Sequence, residues 1–203
     1  MKEQLKKDLA KVIRNINRKG WSPATSTNYS FRESSDSKNI VVSRSGVDKA
    51  FFTKNDYIEV DMDGLPLPKF KDQRPSAETL IHCTLYKLFP ETKVILHSHS
   101  VYPVLWSKKL NKEITFQGYE VQKGFAGQTS HLSEVSIPII ENSQDMVEFS
   151  EGMELRKDEF DSHCFLIKGH GTYAWGKNLF EAKRHLETID YLCELEWKLQ
   201  NSK

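Results

Sequence analysis

His97 and His99 are the residues whose types and spacing most clearly suggest metal chemistry. They directly follow an apolar run at residues 94–96, which is typical of a buried strand. Residues i and i+2 of a strand point to the same face, so both imidazoles can approach one ion. Neutral imidazole suits Zn²⁺, and a catalytic zinc usually has three protein ligands and one open position. For the pair alone, two polar residues at a strand end is the simpler interpretation, so a third ligand is needed to support a metal site.

The preferred third ligand is His170, which lies between two glycines at the end of a predicted strand, residues 163–167. Flanking glycines let the backbone turn sharply and direct the imidazole toward a site. His82 and His185 fall within predicted helices, and we interpret them as ordinary surface or core histidines. The remaining candidates are His131 and His163.

Small hydroxyl and amide side chains are concentrated in three further segments, residues 25–28, 43–46 and 75–77. Segments of this composition can hold a phosphate dianion through backbone N–H groups and hydroxyls. For each segment alone, an ordinary turn or helix cap is the simpler interpretation. Neither a GxxxxGK[ST] nor a GxGxxG pattern occurs, which argues against a nucleotide phosphate.

Composition excludes several classes of protein. The 203 residues suit one domain, 1–203, and 38% of them are hydrophobic, which is enough for a core. The 29 Lys and Arg against 28 Asp and Glu leave a net charge of +1, so we expect no nucleic-acid partner. We also expect no membrane segment, because no apolar stretch is long enough to span one. Three cysteines without CxxC spacing indicate a reduced, cytoplasmic protein rather than a disulfide framework.

Helices and strands alternate irregularly along the sequence. Period-3.6 patterns and caps predict four helices, at residues 2–19, 76–89, 143–157 and 178–199. Short apolar and β-branched runs predict seven strands, at residues 29–32, 40–43, 50–53, 57–60, 93–96, 135–140 and 163–167. These elements indicate an α/β fold in which helices cover both faces of a sheet, and short turns favour antiparallel pairing.

Several ordered motifs resemble the class II aldolase and adducin superfamily over nearly the whole chain. They are Pro23-Ala24-Thr25-Ser26-Thr27-Asn28, Ser45-Gly46, Pro75-Ser76-Ala77-Glu78, His97-Ser98-His99 and Gly169-His170-Gly171. The resemblance implies a three-layer α/β/α sandwich around a mostly antiparallel sheet. It also implies one Zn²⁺ per subunit, held by His97, His99 and His170, and a homotetramer with active sites at subunit interfaces.

Within the superfamily, further segments resemble a branch of enzymes that dehydrate a phosphorylated ketose. They are Gly118-Tyr119-Glu120-Val121-Gln122-Lys123-Gly124, the segment 138–145 and the segment 170–176. In that branch a Glu of the Glu-x-x-Lys-Gly segment is the acid/base, which carries over to Glu120. In the sugar-phosphate aldolases the Glu after the Pro-Ser-Ser segment has this role, which makes Glu78 the alternative. The expected phosphate and substrate contacts are Asn28, Ser45, Gly46, Ser76 and Ala77.

Two other functions remain open beside dehydration. One is aldol cleavage of a sugar phosphate, of the fuculose or rhamnulose phosphate type, with Glu78 as base. The other is a non-catalytic, adducin-like interaction domain, although a scaffold has no need of three histidine ligands. The sequence also departs from the family pattern at Thr27, where Gly is usual, and at Ala77, where the aldolases often have Ser. The first change could alter the phosphate loop, and the second removes a hydroxyl donor.

Overall fold

Eight strands form one sheet in the computed structural model, which describes residues 1–202. In chain order they are β1 (Tyr29–Phe31), β2 (Asn39–Ser43), β3 (Tyr57–Asp61), β4 (Val94–Ser98), β5 (Glu113–Phe116), β6 (Val135–Ile140), β7 (Cys164–Ile167) and β8 (Gly171–Gly176). Their order across the sheet is β3-β2-β1-β4-β8-β7-β6-β5. The β6–β7 pair is parallel, and the other neighbouring pairs are antiparallel.

Five α-helices cover the two faces of this sheet. They are α1 (Lys2–Arg18), α2 (Thr79–Leu88), α3 (Val101–Lys109), α4 (Met146–Leu155) and α5 (Leu179–Asn201). Helices α1, α3 and α5 contribute to one apolar core, and α2 and α4 contribute to a second core on the opposite face. The expected three-layer α/β/α sandwich with a mostly antiparallel sheet is therefore confirmed. No helix within residues 1–202 is both long enough and apolar enough to cross a membrane.

The first helix forms as its sequence pattern predicts. Leu9, Ile13 and Ile16 lie on one face of α1 and are buried. The helix ends at Arg18, and Gly20 follows the cap residue with a φ of +77°, the left-handed conformation that favours glycine beyond a helix end. The backbone N–H of Trp21 then donates to the carbonyl of Ile16, which is typical of this type of cap.

The strand predicted at residues 50–53 is wrong. Lys49–Phe51 forms a short 3₁₀ helix, because the side chain of Asp48 accepts a hydrogen bond from the backbone N–H of Ala50 and caps its start. The helix predicted from residue 76 begins instead at Thr79. The Ser76 hydroxyl accepts from the backbone N–H of Glu78 in the preceding turn.

Strand directions bring the chemically interesting segments to one end of the sheet. Strands β2, β4, β6 and β7 all run toward this end, and β1 and β8 start from it. The segments 25–28, 43–46, 97–99 and 169–171 therefore lie at the same sheet end. Strand β5 runs antiparallel to β6, so the chain leaves β5 at the opposite end, before it reaches Glu120.

Candidate metal centre

Three histidines meet at this end of the sheet. His97 and His99 come from the end of β4, and His170 lies in the turn between β7 and β8. One ring nitrogen of each histidine lies within 4.8 Å of the others. The structure therefore brings together the three residues expected as metal ligands, and this cluster could bind a metal ion.

The donor set suits a divalent metal. His97 Nδ1 lies 2.9 Å from the carbonyl oxygen of Thr172, to which it donates, so the lone pair of Nε2 faces the cluster. Burial holds the pKa of His97 well below its ordinary value and lowers the pKa of His99 to about 4. Both imidazoles are thus neutral near pH 7, as metal ligands must be. The ring of Tyr173 stacks on His97 with 4.1 Å between ring centroids, which fixes the plane of that ligand.

The glycines beside His170 have different roles. Gly169 has a φ of +65°, so the turn needs the conformation that glycine adopts most readily. Gly171 is required by close approach, because a Cβ atom there would lie 2.2 Å from the carbonyl oxygen of Ser98. The same Cβ would come within 3.0 Å of the rings of both His97 and His99. The absence of a side chain at Gly171 lets the β7–β8 turn approach the β4 ligands.

Glu78 is the carboxylate at the cluster. Its Oε1 lies 3.2 Å from His170 Nε2, and its Oε2 lies 3.4 Å from His97 Nε2. Tyr173 Oη donates to Oε2 at 2.6 Å. Burial alone would raise the pKa of Glu78, but the hydrogen bonds from His170 and Tyr173 help to hold it well below its ordinary value. An ionised carboxylate therefore faces the three imidazoles.

The predicted phosphate segments border this cluster. Asn28 Nδ2 donates to Ser76 Oγ at 3.2 Å and to Glu78 Oε2 at 2.8 Å, which joins two of the segments. The third segment is joined through Ser45, whose backbone N–H donates to the carbonyl of Arg74 at 3.3 Å. Gly46 follows with a φ of +74°.

Thr27 adopts a left-handed backbone conformation, which glycine adopts most readily. Its φ is +71°, which is strained for a β-branched residue. Hydrogen bonds offset this strain, because its Oγ1 lies 2.8 Å from Ser22 Oγ and 2.9 Å from Tyr29 Oη. Thr27 therefore holds a left-handed backbone turn directly before Asn28.

Glu120 does not belong to the cluster of three histidines in its own chain. It begins a short 3₁₀ helix, Glu120–Gly124, and its exposed carboxylate pairs with Lys123 and His131. The hydrogen bond from Lys123 lowers the pKa of Glu120. Tyr119 Oη donates to Glu196 of α5, which places this segment against the last helix. Within residues 1–202, no hydrogen bond or ion pair joins Glu120 to the cluster.

The other four histidines do not belong to the cluster, and each has different surroundings. His131 is exposed near Glu120. His163 stacks on Trp175, and His185 Nδ1 donates to the Trp175 carbonyl at 2.7 Å. His82 is buried on α2, where it contacts Asn28 rather than the cluster.

A small cavity adjoins the cluster on the side of β6 and β7. Glu78 and His170 form one wall of this cavity. Its apolar lining consists of Ala77, Ile81, Met146, Phe149 and Ile167. From the sequence, Ala77 was expected only as a phosphate contact, and the cavity could not be predicted because its lining comes from three separate segments.

The fold and this site define a family. A family model described as the class II aldolase and adducin N-terminal domain matches residues 7–197. The chain therefore belongs to the class II aldolase and adducin family. Among its relatives, the methylthioribulose-1-phosphate dehydratase of Picosynechococcus sp. is 49% identical over 195 residues, covering 94% of this chain and 91% of the relative. The enzyme of the same name from Yersinia enterocolitica is 40% identical, covering 91% of this chain and 88% of the relative.

Solved structures agree on the fold. An L-fuculose-1-phosphate aldolase from Thermus thermophilus superimposes with a TM-score of 0.77 at 20% identity, covering 98% of this chain and 97% of the other. A sugar-phosphate aldolase from Thermotoga maritima gives a TM-score of 0.60 at 17% identity, with coverage of 98% and 97%. At these identities the likeness supports the architecture alone.

Proposed function

We propose that this chain is a zinc-dependent methylthioribulose-1-phosphate dehydratase, which acts in the cytoplasm in methionine salvage. It would convert 5-methylthioribulose 1-phosphate to 2,3-diketo-5-methylthiopentyl 1-phosphate by loss of water. The observation that carries the proposal is the convergence of three imidazoles, a carboxylate and the phosphate segments in a chain 49% identical to a relative of that name.

The reaction explains why such a site is needed. The proton on C3 is only weakly acidic in water, and the hydroxyl on C4 is a poor leaving group. His97, His99 and His170 would hold Zn²⁺, which when bound acts as a Lewis acid on the C2 carbonyl and stabilises the negative charge that develops there. Asn28, Ser45, Gly46 and Ser76 would bind the phosphate and orient C3 and C4.

Two carboxylates are available for proton transfer. Glu78 lies at the cluster of its own chain. Glu120 is exposed and lies beside a groove that Trp21, Val121 and Tyr191 help to line. A partly apolar groove of this kind is suited to a subunit interface. We propose that Glu120 is the acid/base at C3 and C4 and acts in the site of a neighbouring subunit of a homotetramer.

The groups of the substrate would follow the order of the strands. The phosphate segments lie at β1 and β2, the histidines at β4 and the β7–β8 turn, and the partly apolar cavity toward β6 and β7. The phosphate on C1, the reacting C2 to C4 and the methylthio group on C5 have the same order. The methylthio group would therefore occupy the cavity lined by Met146 and Phe149.

Product analysis tests this function. Purified protein with its metal content measured is given 5-methylthioribulose 1-phosphate, and the products are separated. We expect the diketone, and we expect His97→Ala to lose both metal and activity while His131→Ala keeps its metal. Formation of dihydroxyacetone phosphate and methylthioacetaldehyde would instead identify an aldolase that uses Glu78. Absence of any metal-dependent reaction would contradict both enzymatic functions.

A further inference from the structure

A buried chain of hydrogen bonds leads from the candidate site into the core beneath α2. Its central residue is His82, which is 1% exposed. His82 Nε2 contacts Asn28 Oδ1, and His82 Nδ1 lies 2.7 Å from Ser30 Oγ. The Ser30 hydroxyl in turn lies 2.9 Å from Tyr86 Oη. Neither the metal centre nor the phosphate segments explain why a histidine occupies this position.

The donors and acceptors of this chain can be assigned in one direction. The Glu78 carboxylate only accepts, so Asn28 presents its Nδ2 to it and its Oδ1 to His82. An amide oxygen also only accepts, so His82 Nε2 carries the proton. Burial lowers the pKa of His82 to about 4, which keeps the ring neutral and leaves Nδ1 as an acceptor for Ser30. Ser30 then accepts from Tyr86.

Asn28 is the point at which this chain meets the site. Its Nδ2 donates to both Ser76 and Glu78, and its backbone carbonyl accepts from the N–H of His97 at 3.1 Å. One side chain thus contacts a phosphate segment and the carboxylate, and its backbone supports a metal ligand. The orientation of its amide depends on a donor at Oδ1. The hydroxyl of Tyr173 also lies 3.3 Å from this oxygen, but it has one proton and donates it to Glu78 at 2.6 Å, so Oδ1 would otherwise be left without a strong partner.

We propose that His82 is a positioning residue, whose Nε2–H holds the Asn28 amide with Nδ2 directed at Ser76 and Glu78. This inference rests on the proposed function for its effect on turnover. The hydrogen bond from His82 to Asn28 does not depend on any reaction. Ser30 and Tyr86 support this arrangement, because Ser30 donates to Nδ1 and Tyr86 donates to Ser30, which fixes the Nε2–H tautomer.

A matched pair of substitutions separates the hydrogen bond from the volume of the side chain. His82→Gln keeps a donor near the position of Nε2, whereas His82→Met has a similar size and no donor. In the zinc-loaded protein, we expect His82→Met to lower kcat/KM by roughly 10- to 100-fold, from the cost of an unpaired buried oxygen. Inorganic phosphate should also inhibit His82→Met more weakly. His82→Gln should recover most of both properties, and zinc content should stay unchanged in both variants.

Two further measurements keep the inference testable if His82→Met does not fold. Tyr86→Phe should also lower kcat/KM, but by less than His82→Met. The ¹H–¹⁵N spectrum of histidine-labelled wild-type protein should show His82 as the Nε2–H tautomer, whether or not any substrate reacts. An Nδ1–H tautomer, or equal activity of the Gln and Met variants, would overturn the inference. A wild-type protein that shows this tautomer but does not dehydrate the substrate would contradict the proposed function alone.

Discussion

Gly171 is the single residue on which the spacing of the three histidines depends most directly. Strands β4 and β8 are neighbours, and Gly171 faces the backbone of Ser98 between His97 and His99. The contact leaves no room for a methyl group, although the backbone of Gly171 does not have a positive φ. Position 171 therefore requires glycine because a side chain would collide with the backbone and rings around the ligands, and not because the turn needs a special conformation.

Gly171→Ala should therefore reduce metal binding. The added Cβ would lie 2.2 Å from the Ser98 carbonyl, so the β7–β8 turn must move away from the β4 ligands. We expect bound metal to fall several-fold, and the free energy of unfolding to fall by about 1–3 kcal/mol from overpacking. Metal analysis and chemical denaturation measure the two effects. Gly152→Ala is the matched control, because that glycine lies in α4 with open space around it and should be neutral or slightly stabilising. Full metal content in Gly171→Ala would contradict the geometry given for the site.

At the scale of elements, strong apolar patterns predicted the fold and weak ones did not. The predicted helices at residues 2–19 and 178–199 correspond to α1 and α5, because each has a regular apolar face. Helix α3 was not predicted, since its nine residues include Pro103 and lack a clear apolar face. Strand β8 was not predicted either, because its glycine-bounded sequence has no alternation and is buried on both faces.

The candidate site was also predicted only in part from the sequence. His97 and His99 could be paired from spacing alone, because a strand fixes the direction of residues i and i+2. Tyr173 could not be found, because its stacking on His97 depends on the unpredicted β8. The role inferred for His82 was also missed, since a histidine on a helix gives no sign of a partner on a distant strand. Contacts between elements that are far apart in sequence could not be predicted without the strand order of the sheet.

The small cavity beside Glu78 and His170, which lies between α2 and α4, gives a prediction about substrate preference. Ala77→Leu should narrow this cavity beside Glu78. We expect kcat/KM for 5-methylthioribulose 1-phosphate to fall about 10-fold or more, as overpacking of a pocket costs about 1–3 kcal/mol. The value for 5-deoxyribulose 1-phosphate, which lacks the methylthio group, should change little. Equal losses for the two substrates would place the methylthio group elsewhere.

At the scale of the whole molecule, buried neutral histidines should make the protein sensitive to acid. Burial lowers the pKa of His185 to about 4, whereas an unfolded histidine titrates near 6.5. Between these values the unfolded state binds more protons, so the contribution of His185 to stability is present above pH 6.5 and is lost as the pH falls. Over this window, His185→Gln should reduce the slope of unfolding free energy against pH by at most about 1.4 kcal/mol per pH unit. An unchanged slope would contradict a neutral His185.

The assembly offers a test of where Glu120 acts. Glu120→Gln and His97→Ala should each be nearly inactive, since loss of a general acid/base typically costs about 10²–10⁴ in rate. If Glu120 serves a neighbouring subunit, mixed oligomers of the two variants should recover up to about a quarter of wild-type activity, because one site in four would have both residues. His99→Ala mixed with His97→Ala is the control and should recover nothing, because both ligands belong to one chain's cluster. Mixed oligomers without recovery would contradict the proposed role across the interface.

The most direct test of the central claim follows solvent deuterium into the product. Wild-type protein of known metal content is given 5-methylthioribulose 1-phosphate in D₂O, and the product is trapped early to limit later exchange. Loss of the C3 proton and of the C4 hydroxyl leaves an enol that takes its new proton at C4, so one deuterium should appear there in a 2,3-diketone. Dihydroxyacetone phosphate together with methylthioacetaldehyde would show cleavage between C3 and C4, and would contradict the dehydratase.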